Sequence, residues 1–256
     1  MFIYGFENEI FTFKEQLFKT ESITDVQVDF NKNYWFTTLD NGVFVSPNLN
    51  IRRVELSNID SKITASVALQ NNQFVLGTND GKLLFYNHNQ LIKTLQLPGK
   101  NIIGKLFFDA QSEQLIVSIN ASESFVVNLK NDKILDVNNR FSVAKTFSKI
   151  DDNTLFYGNY RQGIIYKNPF NHPEQQILKE SRVKASVVSN NHLFVSYIDG
   201  LYKYNTKTFN AEEITFNSKS LLVNTLTKTN GTVWIATQHN GLLTYENNTL
   251  KPSGIK

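Results

Sequence analysis

Short apolar runs alternate with polar turns along the whole chain, and no segment keeps a helical period over three turns. Residues 63–97 illustrate the pattern with the runs "ITASVALQ", "QFVLGT", "KLLFY" and "IKTLQL". Each run has the length and composition of a strand, and Asn, Asp and Gly residues typical of turns separate most of them. The pattern predicts four strands in this segment and an all-β chain.

The four-strand segment recurs with a period of about 40 residues. The β-branched residues that open the first strand of each copy stand 40 positions apart, at Ile23, Ile63, Ile103, Val143, Val183 and Val223. An apolar position in the next strand recurs more loosely, at Phe2, Trp35, Val75, Ile116, Phe156, Phe194 and Trp234. Four strands per unit of this length are typical of a β-propeller blade. Seven copies therefore predict a seven-bladed β-propeller that forms a single domain over residues 1–256.

The two ends of the chain each carry part of a repeat. The first copy begins at its second strand, "MFIYGF", and Ile255 follows Tyr245 at the same distance as Ile23 follows Phe13. We therefore expect six four-stranded blades and one incomplete blade formed by the termini, in which Ile255 pairs with "FIYGF". Native proteins normally cover an open strand edge, so a fragment of a longer chain is favoured over a complete protein closed by a short stub.

Composition and charge narrow the class of protein. Hydrophobic residues make up 41% and charged residues 19% of the chain, as in ordinary globular proteins. The net charge of +3 is spread along the sequence, which argues against nucleic acid as a partner. No run of 18 apolar residues and no signal peptide is present, so we expect no direct membrane contact from this segment. The absence of cysteine excludes disulfides and thiolate catalysis.

The repeated residues predict structure more than chemistry. Trp35 and Trp234 are expected to pack between adjacent blades, and the recurring glycines to serve turns with positive φ or close contacts between blades. The copy "LIVSINASESFVV" lacks that glycine, which predicts an irregular blade. Carboxylates between first and second strands, including Asp29 and Asp109, are expected to hydrogen bond to turn backbone.

Catalytic and metal-binding motifs are missing from the sequence. The four histidines have no metal-ligand spacing, and there is no nucleophile elbow or glycine-rich phosphate loop. We therefore expect no cofactor, no metal and no catalytic residues.

Function is then sought in the turns that do not repeat, between second and third strands and between successive copies. In a propeller these turns share one face, around the central channel. Arginine and tyrosine there are suited to gripping an anion or stacking on a sugar ring. The candidate ligand-binding residues are Asp40, Asn79, Tyr160, Arg161, Lys184 and His239. They predict a carbohydrate or another small polar ligand, and the alternative is a solvated face that binds nothing.

The best copy, "VNTLTKTNGTVWIATQHNGLLTY" (223–245), resembles the two-component regulator propeller repeat. Weaker relatives are "ITDVQVDFNKNYWFTTLDNGVFV" and "VKASVVSNNHLFVSYIDGLYKY". Signatures of WD, kelch and sialidase-type propellers are absent. The resemblance implies the sensor region of a bacterial membrane-anchored histidine kinase or hybrid regulator. It further implies a periplasmic location, downstream signalling domains in the same chain and a homodimer of the full-length protein.

Three functions remain open at this point. The first is a non-catalytic sensing propeller that takes part in signal transduction. The second is a polysaccharide lyase or hydrolase, for which Asp40, Asp80, Asp199 and His239 are the candidate acid and base residues. The third is a protein-interaction platform.

Overall fold

The computed structural model describes residues 1–7, 9–30, 32–46, 60–88, 90–121 and 123–254. This part of the chain contains strands and turns but no helix, which confirms the all-β prediction. Its 26 strands form seven sheets of two to five strands. The chain divides into two compact units, Met1–Ser57 and Asn58–Lys256.

The smaller unit contains two antiparallel sheets. The first is a hairpin of β1 (Phe2–Glu7) and β2 (Ile10–Gln16). The second has the order β3 (Ile23–Val28), β4 (Tyr34–Thr38) and β5 (Val43–Ser46). The fourth strand predicted for this copy falls in 47–59, outside the described residues.

The larger unit contains five antiparallel meanders in chain order. The first consists of β6 (Ile63–Ala68), β7 (Gln73–Thr78), β8 (Lys82–Asn87) and β9 (Gln90–Gln96). The second consists of β10 (Ile103–Asp109), β11 (Gln114–Ile119), β12 (Ser124–Asn128) and β13 (Lys133–Asp136). The third consists of β14 (Thr146–Asp151), β15 (Thr154–Gly158), β16 (Gly163–Lys167) and β17 (Glu174–Lys179). The fourth consists of β18 (Val183–Ser189), β19 (His192–Tyr197), β20 (Gly200–Asn205), β21 (Ala211–Phe216) and β22 (Lys219–Ser220). The fifth consists of β23 (Val223–Thr229), β24 (Thr232–Thr237), β25 (Leu242–Glu246) and β26 (Thr249–Pro252).

The predicted blades agree with these sheets in most details. Four of the five sheets in the larger unit have the expected four strands, while β22 adds an unpredicted fifth strand to one sheet. The pairing of Ile255 with "FIYGF" lies outside the described residues. The number of blades and the incomplete blade formed by the termini therefore stay predictions.

The 40-residue grid is wrong at one position. The other five grid residues each begin a strand, but Val143 lies in a turn with φ 54° and β14 begins at Thr146. In the last copy the partner of Trp234 is Thr227, four residues after the grid position. Phe156, which occupies the place of Trp234 in its own copy, pairs with Ser148. The residue four positions before Ser148 is Ala144, so Ala144 and not Val143 is the equivalent of Val223. This copy is therefore shifted by one residue, because its turn is held by the preceding sheet through hydrogen bonds from the backbone of Val143 to Ile119 O (3.0 Å) and of Ala144 to Ser118 Oγ (2.8 Å).

The apolar side chains of the larger unit form four cores, one between each pair of consecutive sheets. The second-strand column lies in these cores, where Val75, Ile116, Phe156 and Phe194 are at most 2% exposed. Each faces the sheet that follows its own in the chain. Burial of one such side chain stabilises the fold by about 1.5–3 kcal/mol.

The two tryptophans do not follow their column. Trp35 is 40% exposed, so the prediction that it is a core residue is wrong, and Trp234 is only half-buried and outside the four cores. The reason is that each lies in the last sheet that the described residues of its unit form, with no following sheet among them to cover it. Trp35 Nε1 instead donates to Asp29 Oδ2 at 2.9 Å.

The copy without the recurring glycine is regular, contrary to expectation. Its four strands form one antiparallel sheet, with a bulge in the first strand as at the start of other copies, and Ser124 stands opposite Ser118 as Gly163 stands opposite Gly158. The buried Ser124 hydroxyl donates to Asn138 O (2.8 Å) and accepts from the Phe141 amide (3.0 Å). Serine can stand at this position because the backbone of neither Ser124 nor Gly163 adopts positive φ.

Candidate functional site

A cleft of about 330 Å³ opens at the end of sheet β14–β17 where β15 finishes. The turn between β15 and β16 (159–162) and the connection from β13 to β14 (137–145) form its rim. These are the two kinds of turn in which the sequence predicted a ligand site. Tyr160 and Arg161, two of the candidate residues, line this cleft.

The side chain of Asn159 holds the first of these turns. Asn159 Oδ1 accepts from the backbone amides of Arg161 (2.8 Å) and Gln162 (3.0 Å), as in an Asx turn. Asn159 O accepts from the amide of Val183 at 2.9 Å, which ties the turn to the next sheet. The backbone that carries Tyr160 and Arg161 is therefore fixed, while their side chains are exposed.

Two buried tyrosines form the wall of the cleft. The Tyr157 hydroxyl donates to Ser142 O and accepts from Asn159 Nδ2 at 3.1 Å. The Tyr166 hydroxyl lies 3.3 Å from both Arg140 O and Gln175 Oε1. Burial raises the pKa of Tyr157 to about 12 and raises the pKa of Tyr166 as well. Both phenols are therefore neutral at physiological pH.

Two guanidinium groups give the cleft its charge. Arg161 Cζ lies 5.2 Å from the centroid of the Tyr160 ring, and Arg140 Cζ lies 5.9 Å from that of Phe141. Arg140 Nη1 also donates to Pro169 O at 3.3 Å. Within the described part of the chain, neither arginine has an ion pair and no carboxylate lines the cleft. A planar guanidinium can hold a carboxylate or phosphate through two parallel hydrogen bonds.

The other candidate residues lie elsewhere. Asp40 is exposed in the turn after β4, in the smaller unit. Asn79 Oδ1 accepts from the amide of Lys62 at 2.9 Å, which is a turn contact. Lys184 Nζ donates to Asn224 Oδ1 at 3.0 Å, and His239 is exposed in the turn between β24 and β25.

Sequence reasoning missed Arg140, Tyr157, Tyr166 and Gln175. Arg140 lies in a connection between successive copies, a class of turn that was named as functional, but nothing local distinguishes it from the other cations of the chain. The tyrosines lie in apolar strands and are themselves core residues, so the strand pattern predicts packing and not a site. Only the folded sheet brings these side chains to the rim.

Two of the three carboxylates proposed for an enzyme, Asp80 and Asp199, are paired with cations. Lys82 lies 2.7 Å from Asp80 and, with hydrogen bonds from Thr78 and Ser61, holds the pKa of that carboxyl well below its usual range. Burial raises the pKa of Asp199, but Lys179 at 2.9 Å and Ser181 outweigh this and lower it. Paired carboxylates with lowered pKa are poor general acids. The described residues contain no group of three side chains that could hold a metal ion.

Comparison with protein families identifies the kind of domain. Residues 47–251 match the model of the Pep3/Vps18/deep orange β-propeller domain. The chain belongs to this family. The match covers most of the chain and shows a β-propeller domain. The matching model is thus that of the Pep3/Vps18/deep orange propeller and not that of the two-component regulator propeller repeat. No curated protein matches the sequence.

Solved structures similar to this propeller come from diverse proteins. The extracellular domain of the putative hybrid two component system BT4673 from B. thetaiotaomicron has a TM-score of 0.60 at 16% identity, covering 98% of this chain and 34% of that chain. The β-propeller domain of Cps50 (Swd1) from Myceliophteria thermophila has a TM-score of 0.60 at 12% identity, covering 92% and 72%. The computationally designed Ika8 protein has a TM-score of 0.61 at 15% identity, covering 90% and 73%. At these identities the likeness shows the propeller fold alone.

The part of the chain that the structure describes contains no helix long and apolar enough to cross a membrane.

Proposed function

We propose that this chain is a non-catalytic ligand-binding propeller, and that its site is the cleft formed by 137–145 and 159–162. The observation that carries the proposal is a pair of guanidinium groups, Arg140 and Arg161, on a cleft without carboxylates among the described residues. The volume of about 330 Å³ lies within the range of small-molecule sites. The ligand is a small anion or an acidic sugar, held by the guanidinium groups of the two arginines.

Each part of the cleft has a role in this binding. Arg161 supplies the exposed charge, and the ring of Tyr160 beside it offers an apolar face for a sugar ring. The neutral Tyr157 and Tyr166 hydroxyls are already hydrogen bonded, so they shape the wall and do not transfer protons.

Thermal unfolding of the whole chain with added anions tests this function. Glucuronate, succinate and phosphate are compared with uncharged glucose at equal ionic strength. We expect at least one anion to raise the melting temperature of the wild type, and Arg161→Ala to remove most of that rise. Lys207→Ala, in the exposed turn between β20 and β21, serves as the control of equal charge. Equal responses in the wild type and Arg161→Ala, or no response to any anion, would contradict the proposal.

We further propose that the propeller is the extracytoplasmic sensing region of a two-component signalling protein. Two features support this: the repeat in 223–245 resembles that of such sensors, and the fold resembles the extracellular domain of BT4673. Binding would then be passed to downstream signalling domains in the same chain. Sequencing the gene beyond Lys256 tests the role, and a stop codon there with no kinase in the product would overturn it.

A catalytic function has less support. Asp80 and Asp199 are ion-paired, and His239 has no hydrogen-bond partner among the described side chains. A lyase or hydrolase would need an acid and a base held together at one site.

A further inference from the structure

A second, larger cleft lies at the opposite ends of the strands, between sheets β18–β22 and β23–β26. It has a volume of about 450 Å³, and the turns at 190–191, 230–231 and 247–248 form its rim. Its size suits a small organic ligand.

The cleft is fixed by contacts between the two sheets. Ser189 Oγ and Asn190 Nδ2 both donate to Gly231 O, at 3.0 and 3.2 Å. Behind them the rings of Phe194 and Tyr245 pack edge to face with centroids 5.2 Å apart. Val233 completes a buried apolar floor.

A chain of hydrogen bonds orients the amide of Asn248 on the rim. The Lys203 ammonium, which can only donate, lies 2.9 Å from both Glu212 Oε2 and the Tyr245 hydroxyl. The Tyr245 hydroxyl accepts from Lys203 and donates to Asn248 Oδ1 at 3.3 Å. Asn248 Nδ2 is left to donate to a ligand.

The imidazole of His192 is oriented in the same manner. Its Nδ1 lies 2.8 Å from Asn190 O. A carbonyl only accepts, so Nδ1 carries the proton, and in the neutral ring Nε2 has a free lone pair. His192 therefore adds an acceptor to the cleft.

Glu246 gives the cleft a negative charge. Its carboxylate makes no ion pair or hydrogen bond to the described residues, and the lining contains no lysine or arginine. Lys203 lies behind Tyr245, and its charge is offset by the ion pair with Glu212. The free groups are thus a carboxylate, an imidazole acceptor and an amide donor beside aromatic rings.

We propose that this cleft binds a small organic cation, an ammonium or guanidinium group attached to a hydrogen-bond acceptor. Glu246 and His192 Nε2 accept from the cationic group, and Asn248 Nδ2 donates to the acceptor of the ligand. The buried rings of Phe194 and Tyr245 form an apolar floor beneath these groups. This site is separate from the arginine cleft and does not depend on that cleft having a ligand.

Titration of isotopically labelled whole protein by NMR tests the inference, with Nα-acetyl-L-argininamide as the probe. Its uncharged isostere, Nα-acetyl-L-citrullinamide, is the matched control ligand. We expect saturable shifts in the amides of 189–192, 231 and 245–248 with the cation and about tenfold weaker binding of the isostere. Glu246→Gln should also lower the affinity for the cationic probe by about tenfold. Glu174→Gln, on β17 in another sheet, should leave that affinity unchanged.

The outcomes separate the two sites. Arg161→Ala should leave the affinity for the cationic probe unchanged. The titration therefore tests the second cleft whether or not the arginine cleft binds an anion. Equal affinity for the charged and uncharged probes, or the same affinity in Glu246→Gln and wild type, would overturn the cation assignment. Shifts that do not saturate or that lie outside the rim would overturn the site itself.

Discussion

Lys149 Nζ lies 2.6 Å from Asp109 Oδ1, and the two residues stand 40 positions apart, one repeat of the sequence. Asp109 ends β10 and also accepts from the amide (3.0 Å) and hydroxyl (2.5 Å) of Ser112. The predicted turn contact is therefore confirmed, and the ion pair adds a link between consecutive sheets. The side chain of Asp109 is only 5% exposed, so its charge depends on these partners.

Replacing Asp109 with asparagine should destabilise the larger unit by about 2 kcal/mol. The change removes the negative charge that faces Lys149, and the half-buried ammonium keeps only Asp152 at 3.4 Å as an ion-pair partner. For a chain of this size we expect the melting temperature to fall by about 4–8 °C. The control is Glu113→Gln, since Glu113 and Lys130 form an exposed pair 3.9 Å apart whose loss should change the stability by less than about 0.5 kcal/mol. Equal losses in the two variants would refute the link.

Stability should fall in acid, and Asp109 should account for part of the fall. Burial raises the pKa of Asp109, but Lys149 and Ser112 outweigh this and hold the pKa below its ordinary value. A lowered folded-state pKa stabilises the fold above the unfolded value of about 4, and the effect is lost as the pH drops further. Urea unfolding between pH 6 and pH 3 should show a smaller loss for Asp109→Asn than for wild type. Parallel curves would contradict this.

Gly163→Ala should be more harmful than Gly241→Ala, although Gly163 begins a third strand and Gly241 directly precedes one. A Cβ at Gly163 would lie 2.7 Å from the Tyr197 hydroxyl and 2.9 Å from the Phe156 ring, inside a packed core. A Cβ at Gly241 meets nothing within 4 Å, so only its φ of +68° opposes alanine. We expect costs of about 2–3 and about 1 kcal/mol respectively, measured by urea unfolding. The reverse order would show that the core at Gly163 yields easily.

Phe194→Ala and Trp234→Ala test how the second-strand column is buried. Phe194 lies in the core between two sheets, and its loss should cost about 3–5 kcal/mol. Trp234 is half-buried, so its loss should cost about 1–2 kcal/mol, less than a core position. Fluorescence of the Trp35→Phe variant, which retains Trp234 alone, should report a partly hydrated indole. An emission maximum typical of a fully buried indole would mean that another surface covers Trp234.

The sequence alone determined the strands and most of their starting points. Strand period and turn residues act over a few neighbouring positions, so Ile63, Ile103 and Val183 could be placed from their surroundings. The same local information predicted that Tyr160 and Arg161 lie in an exposed turn.

Only the tertiary structure decided which side chains are covered and which meet. Val143 was displaced because the sheet before it holds its turn, and Trp35 is exposed because no following sheet covers it in the described part of its unit. Arg140 joins Arg161 only when β14–β17 folds and brings two separate turns to one end. Burial and charge at a site depend on segments distant in sequence, and no local pattern contains them.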